Sequence, residues 1–300
     1  MATLREDALV LAIQKAAKSY YSENKYPESH GEDHIQAVLK LTLEALATMP
    51  CTDREIIFLA TAAAAILHEA DDRKLAAKVE GAAPGSMPNT CEVLEEARSH
   101  LVASGDEIAT CDALWGRFKE LTLLAISWVS AHANGNNIPD EVRADPKLAL
   151  LLAVRLADRA EACGLVGAWR CLAYSAERNM PAYTDQTPLP GSEAEIDAAK
   201  QNGFDRYCKG KGASPSMLDH YYEKLLHLAD TGIDESMLAA TPALAYLAEQ
   251  LTERVEPLKK IVCSPRAELP AILRDLYDGF HNPAEESAVP AYIDSIECGL

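Results

Sequence analysis

The chain is short of basic residues. Its 300 residues carry 28 Lys and Arg against 46 Asp and Glu, a formal net charge of −18. A broad surface for nucleic acid or anionic lipid needs clustered cations, so no nucleic-acid polymer and no membrane is expected as a partner. A small phosphate ligand, held locally by a few cations or a metal, is still allowed. No apolar run approaches the length of a membrane span. The N-terminal stretch "MATLREDALVLAIQKAAKSYYSEN" lacks an uninterrupted apolar core and reads as an amphipathic helix, not a signal peptide. The eight cysteines are scattered at 51, 91, 111, 163, 171, 208, 263 and 298, with no CxxC pair, and read as reduced thiols of a cytoplasmic protein. Period-two apolar alternation is nearly absent, which excludes an extensive sheet. No internal repeat is found.

What remains is helical. The hydrophobic fraction is 48% and the charged fraction 25%, enough for a packed core. Three- and four-residue apolar spacing marks helices at about 5–22, 34–48, 53–69, 90–103, 117–131, 147–163, 165–178, 193–208, 215–229, 235–256, 266–279 and 284–297. Thr52 with Glu55, and Ser192 with Glu195, have capping-box spacing. "MPAYTDQTPLPGSE" (180–193) and "GAAPGSMPNT" (81–90) are the clear breaks. The expectation is an all-α fold.

Four polar clusters interrupt this pattern where apolar residues would be expected. In "SHGEDHIQAVLKL", His34 lies one helical step from Val38 and two from Leu41, on their inward face, with His30 just before the helix. The alanine-rich "AAAAILHEADDRK" (62–74) runs into His68, Glu69, Asp71, Asp72, Arg73 and Lys74, with Ala64 and Ala65 on the face of His68. In "ISWVSAHANGNN", His132 and Asn134 follow an apolar helix. In "LALLLAVRLADRAEACG", Asp158 falls on the stripe of Leu151 and Val154.

A carboxylate on a buried stripe costs several kcal/mol, on the order of a lost fold-stabilising contact or more, unless paired or metal-bound. An isolated inward histidine is commonly a satisfied core residue, an isolated Asp a cap or surface group, and "DDRK" a solvated helix end. The joint occurrence in order of His, His-acid and Asp points instead to a shared partner. One divalent cation accepts imidazole nitrogen and carboxylate oxygen together.

That order resembles the H…HD…D pattern of the HD-domain metal-dependent phosphohydrolases, a superfamily built on a helical bundle. "HGEDHIQAVLKL" is similar to the family's HDxxHxxRV element. "ILHEADDRK" resembles the LLHDxxDRK of a subgroup that includes bacterial nucleotide pyrophosphohydrolases. "ADRAEACGLVGAWRC" resembles its ADRLEAIGxIGxxR segment, and "SMLDHYYEKLLHL" (216–228) a downstream HFYEKLL segment. The match covers roughly residues 25–230.

The resemblance implies an HD-type helical domain over 1–230, with its core at 25–180, and additional C-terminal helices over 231–300 packed on that core. It implies His34, His68, Glu69 and Asp158 as ligands of one divalent metal, Mn²⁺ first, with Mg²⁺, Fe²⁺, Ni²⁺ or Zn²⁺ as alternatives. Glu69 stands where the family has Asp, a departure that bears on activity. Asp72 is the candidate general acid/base or water-orienting group. Arg73, Lys74, Arg155, Arg159 and His132 are candidate phosphate or substrate contacts. Asp71 is expected to face solvent. His100 and His132 fall between Glu69 and Asp158 and are candidate ligands of a second metal. The implied activity is hydrolysis of a small phosphorylated molecule, first of all a nucleotide. The alternatives are a ligand-binding protein without turnover and a two-iron oxygenase.

Overall fold

Residues 56–67, "IIFLATAAAAIL", form a helix buried on all sides: every residue from Phe58 to Leu67 is buried. A helix apolar all round has no face to offer solvent, so it becomes the post around which others pack. In the computed structural model, residues 7–24, 32–50, 55–71, 86–209, 214–280 and 287–298 are described, with backbone alone for 131–132, 205–209 and 298.

The described residues form α1 (Ala8–Glu23), α2 (Glu32–Leu46), α3 (Ile56–Leu67), α4 (Pro88–Ser104), α5 (Glu107–Thr110), α6 (Asp112–Ser127), α7 (Ala131–Asn134), α8 (Asp140–Ala144), α9 (Leu152–Ala162), α10 (Gly164–Glu177), α11 (Glu193–Lys209), α12 (Met217–Glu223), α13 (Glu235–Ala240), α14 (Pro242–Cys263), α15 (Leu269–Phe280) and α16 (Val289–Cys298). Short 3-10 turns occupy Pro146–Leu151, Leu225–His227 and Arg266–Glu268. There is no strand among the described residues, so the fold is all-α. No helix among them is long and apolar enough to cross a membrane.

Contacts divide the chain into two units. One is Met1–Asp158 with Thr231–Ala248; the other is Arg159–Asp230 with Glu249–Leu300. Two of the junctions lie inside helices, at 158/159 in α9 and at 248/249 in α14.

In the first unit, α3 packs against α1, α2 and α6, and α1 against α4. Alanine at 62–65 lets these neighbours approach closely. Leu9, Val10, Ile13, Ala16, Ala17 and Tyr21 form the inward stripe of α1. Each large apolar side chain fully buried in this way contributes roughly 1.5–3 kcal/mol. Asp7 starts α1 by accepting from Leu9 N–H. Gly105 ends α4 at φ 79°, a left-handed conformation that glycine adopts without a Cβ clash.

In the second unit, α11 packs on α12, and α10, α15 and α16 pack together. A Cβ on Gly203 would stand 2.9 Å from the Tyr222 carbonyl oxygen, so glycine sets how closely α11 meets α12. The downstream motif clasps the segment after α10. Met217 and Leu218 N–H donate to the Pro181 and Ala182 carbonyls. Buried Asp219 accepts from the Thr187 and Ser216 hydroxyls at 2.8 and 2.6 Å, and the Tyr222 hydroxyl donates to the Pro188 carbonyl. Here residues of "SMLDHYYEKLLHL" hold structure together.

Several boundaries differ from the sequence reading. The single helix expected over 235–256 is two, α13 and α14. Thr241 precedes a proline, which disfavours helical backbone, and it sits at φ −131°, ψ 84°. Pro257 lies inside α14, which runs on to Cys263. The expected 147–163 helix opens with the 3-10 turn. At α11, Ser192 Oγ accepts from Glu195 N–H, but the Glu195 carboxylate accepts from Gly191 N–H, so the reciprocal half of the box is shifted by one residue. Thr52 lies outside the described residues.

Candidate metal centre

Three separate elements deliver four side chains to one point. His34 comes from the first turn of α2, His68 and Glu69 from the turn that ends α3, and Asp158 from α9. All four belong to the first unit. The two Nε2 atoms of His34 and His68 are 3.1 Å apart. His34 Nε2 lies 3.5 Å from both Glu69 Oε1 and Asp158 Oδ1, and His68 Nε2 lies 3.6 and 3.8 Å from the same atoms. One ligand atom from each residue falls within 4.8 Å of all the others.

The histidine tautomer follows from the helix end. The last carbonyls of an α-helix have no intrahelical donor. His68 Nδ1 donates to the Ala65 carbonyl at 2.9 Å, and the buried Tyr21 hydroxyl donates to Ile66 at 3.0 Å. With its proton on Nδ1, His68 presents a lone pair at Nε2. Donation of the far ring nitrogen to a backbone carbonyl is also the usual way a metal-binding imidazole is oriented. Around His34 Nε2 stand three acceptors, and a single proton there serves only one of them.

A divalent cation fits this donor set. Metal bonds of about 2.1 Å put neighbouring donors about 3.0 Å apart in an octahedron and about 3.4 Å apart in a tetrahedron, close to the separations here. Two imidazoles and two carboxylates suit Mn²⁺, Fe²⁺, Zn²⁺ or a related ion. The His34, His68 and Glu69 side chains are 4%, 1% and 9% exposed, whereas Asp158 is 24% exposed. Asp158 is thus the most exposed of the four.

The other sequence candidates fare differently. His100 is exposed on α4 and, among the described residues, belongs to no group of three or more metal-capable side chains. His132 lies in α7, where only the backbone is described, so its side-chain role lies outside the described residues. His30, Asp72, Arg73 and Lys74 also lie outside them. Arg155 is 1% exposed and donates to the carbonyls of Gly135 and Asn137, which ties α9 to the loop after α7. Burial lowers its guanidinium to about 10, still cationic at neutral pH. Arg155 thus braces the "NGNN" loop. Arg159 is equally buried. Asp71, expected in solvent, accepts two backbone hydrogen bonds from Asn89 and Thr90. Tyr21 was not anticipated; nothing in "KSYYSEN" marks which tyrosine reaches a helix end 45 residues away.

A relative shares most of the chain. It is 30% identical over 235 residues, covering 78% of this chain and 87% of its own length, and is described as the uncharacterized protein L803 of Acanthamoeba polyphaga mimivirus. The chain belongs to the family of that viral protein. No family model matches it. Among solved structures, a structural-genomics crystal structure from Lactobacillus plantarum is similar in fold, with a TM-score of 0.51 at 20% identity, over 88% of this chain and 98% of the bacterial one.

Proposed function

We propose that this chain is a metal-dependent phosphohydrolase acting on a small phosphorylated molecule, in the first instance a nucleotide. The observation that carries the reading is the convergence of His34, His68, Glu69 and Asp158 from three elements onto one point. The resemblance to HD-domain phosphohydrolases supplies the reaction class. When bound, a divalent ion there polarises a phosphoryl oxygen and lowers the pKa of its water.

The chain's own residues have distinct tasks. His34, His68, Glu69 and Asp158 hold the ion, and the Ala65 carbonyl keeps the His68 ring in its lone-pair-presenting tautomer. Asp72, three residues after Glu69, takes or orients the proton of the attacking water. Arg73 and Lys74 offset charge on the phosphate oxygens.

The test is a phosphate and pyrophosphate release screen over nucleoside mono-, di- and triphosphates with Mn²⁺-loaded protein. Metal-dependent release is expected, absent in Asp158→Ala. Asp72→Asn should keep the metal and lower kcat by about 10²-fold, the usual scale for a positioned acid/base group, with KM little changed. No release from the metal-loaded protein on any of these substrates would overturn the reading. Glu69, standing in place of the family's shorter Asp, supports a second reading: a ligand-binding protein without turnover. A nucleotide bound at the loaded centre and recovered intact would favour it.

A further inference from the structure

Glu69, like His68, is a ligand beyond the last regular turn of α3. It sits in the turn beyond α3, where the regular i→i−4 ladder has stopped, and its side chain has three rotatable bonds. What holds that turn lies next to it. Asp71 Oδ1 accepts from the backbone N–H of Asn89 at 3.1 Å, and Oδ2 from that of Thr90 at 2.8 Å. Asn89 and Thr90 are the second and third residues of α4, whose first N–H groups have no partner within the helix. Met87, which precedes α4, makes no side-chain capping bond. Asp71 therefore caps α4 from 18 residues upstream, with its negative charge at the favourable end of the helix dipole. The tie runs both ways. Asn89 Nδ2 donates to the Ala70 carbonyl at 3.0 Å, and the Tyr20 hydroxyl donates to the same oxygen at 3.4 Å.

We infer that Asp71 and Asn89 form a clasp that fixes the turn carrying Glu69, and that Asp71 is a positioning residue of the metal centre. The inference rests on the metal reading of the cluster. It depends on α4 supplying rigidity that the end of α3 lacks. A ligand must be held within about 0.5 Å of its productive place, so a turn released from α4 weakens the centre without removing any ligand. Asn at 71 keeps the shape, but its amide nitrogen meets a backbone N–H, which costs one of the two bonds and sets donor against donor.

The test compares Mn²⁺ dissociation constants of the full chain, read from the EPR signal of free Mn²⁺ below the melting temperature of every variant. Asp71→Asn is set against Asp106→Asn, which removes a carboxylate accepting from Ile108 and Ala109 N–H at the start of α5. Asp71→Asn should bind Mn²⁺ about tenfold more weakly or worse, within the range for groups that orient metal ligands, and Asn89→Ala about threefold more weakly. Asp106→Asn should melt earlier yet bind as wild type. Wild-type affinity in Asp71→Asn, or equal weakening in Asp106→Asn, would overturn the clasp. If Asp71→Asn does not fold, Asn89→Ala decides alone, and wild-type affinity there overturns it. Wild-type protein that binds no Mn²⁺ would instead sink the metal reading, and the clasp with it.

Discussion

Two clusters of this molecule bury histidine beside carboxylate, and they solve the problem in opposite ways. In the second unit, His227 places Nδ1 2.9 Å from Asp230 Oδ2 and Nε2 2.7 Å from the Lys200 carbonyl, while Lys200 Nζ closes on Asp230 Oδ1 at 2.7 Å. Phe204 covers the ring. Both ring nitrogens face oxygen acceptors, and the Lys200 ammonium closes on the same carboxylate. In the first unit, ring nitrogens of His34 and His68 and carboxylate oxygens of Glu69 and Asp158 converge on one point, the histidine nitrogens 3.1–3.8 Å from one another and from the oxygens. Burial of histidine is therefore no guide to a site. Convergence of acceptors on a shared point is.

The sharpest way to break this comparison is to remove one histidine or acid from each cluster. His34→Ala and Asp158→Ala should lose most bound metal, measured by elemental analysis per chain after equilibration with Mn²⁺. His227→Ala should keep full metal and lose about 2 kcal/mol of stability, the scale for stranding buried hydrogen-bonding groups. Metal loss in His227→Ala of the same size would erase the contrast.

A smaller effect is expected at Glu69. Glu69→Asp should retain the ion and match or exceed the wild-type rate of phosphate release, because it restores the family's shorter arm. Glu69→Ala should bind the ion at least about tenfold more weakly, since a ligand is gone. Equal occupancy and equal rates in wild type and both variants would show that Glu69 is no ligand.

The smallest effect is a pH dependence in the second cluster. Burial pushes the Asp230 carboxyl up, but hydrogen bonds from His227 and Lys200 outweigh it and hold the group below its ordinary value. A depressed folded-state pKa gives stability that is fully present above the unfolded value, about 3.9, and is lost as pH falls through the folded value. Asp230 is 41% exposed, so solvent screens the effect. Thermal melts of Asp230→Asn should be less stable than wild type near neutral pH, with the gap starting to shrink only below about pH 4 and closing below the depressed folded-state value. A constant difference down to lower pH would contradict the assignment.

How much of this was legible depends on whether a residue's task follows its helical register. His34 and Asp158 were legible because each shares a face with Val38 or Val154, and periodicity alone turns it inward. His68 and Glu69 were legible because they end a helix with no polar face. Arg155 has the same register as a site residue, but its partners are backbone carbonyls 18 and 20 residues away, and carbonyls carry no sequence signature. Asp71 was misread for the same reason. Rotation along α3 points it to solvent, whereas its acceptors are satisfied by the start of another helix. The all-α class followed from the spacing of apolar residues; the split at Thr241 required weighing Pro242 over the apolar pattern on both sides of it.

The most direct measurement is a Mn²⁺ titration of metal-free wild type and His68→Ala, followed by EPR, with helical content checked by circular dichroism. Saturation at one ion per chain in wild type and its loss in a still-helical His68→Ala is the expected result. No saturable binding in wild type, or the same isotherm in His68→Ala, would contradict the claim that these four side chains are built around a cation.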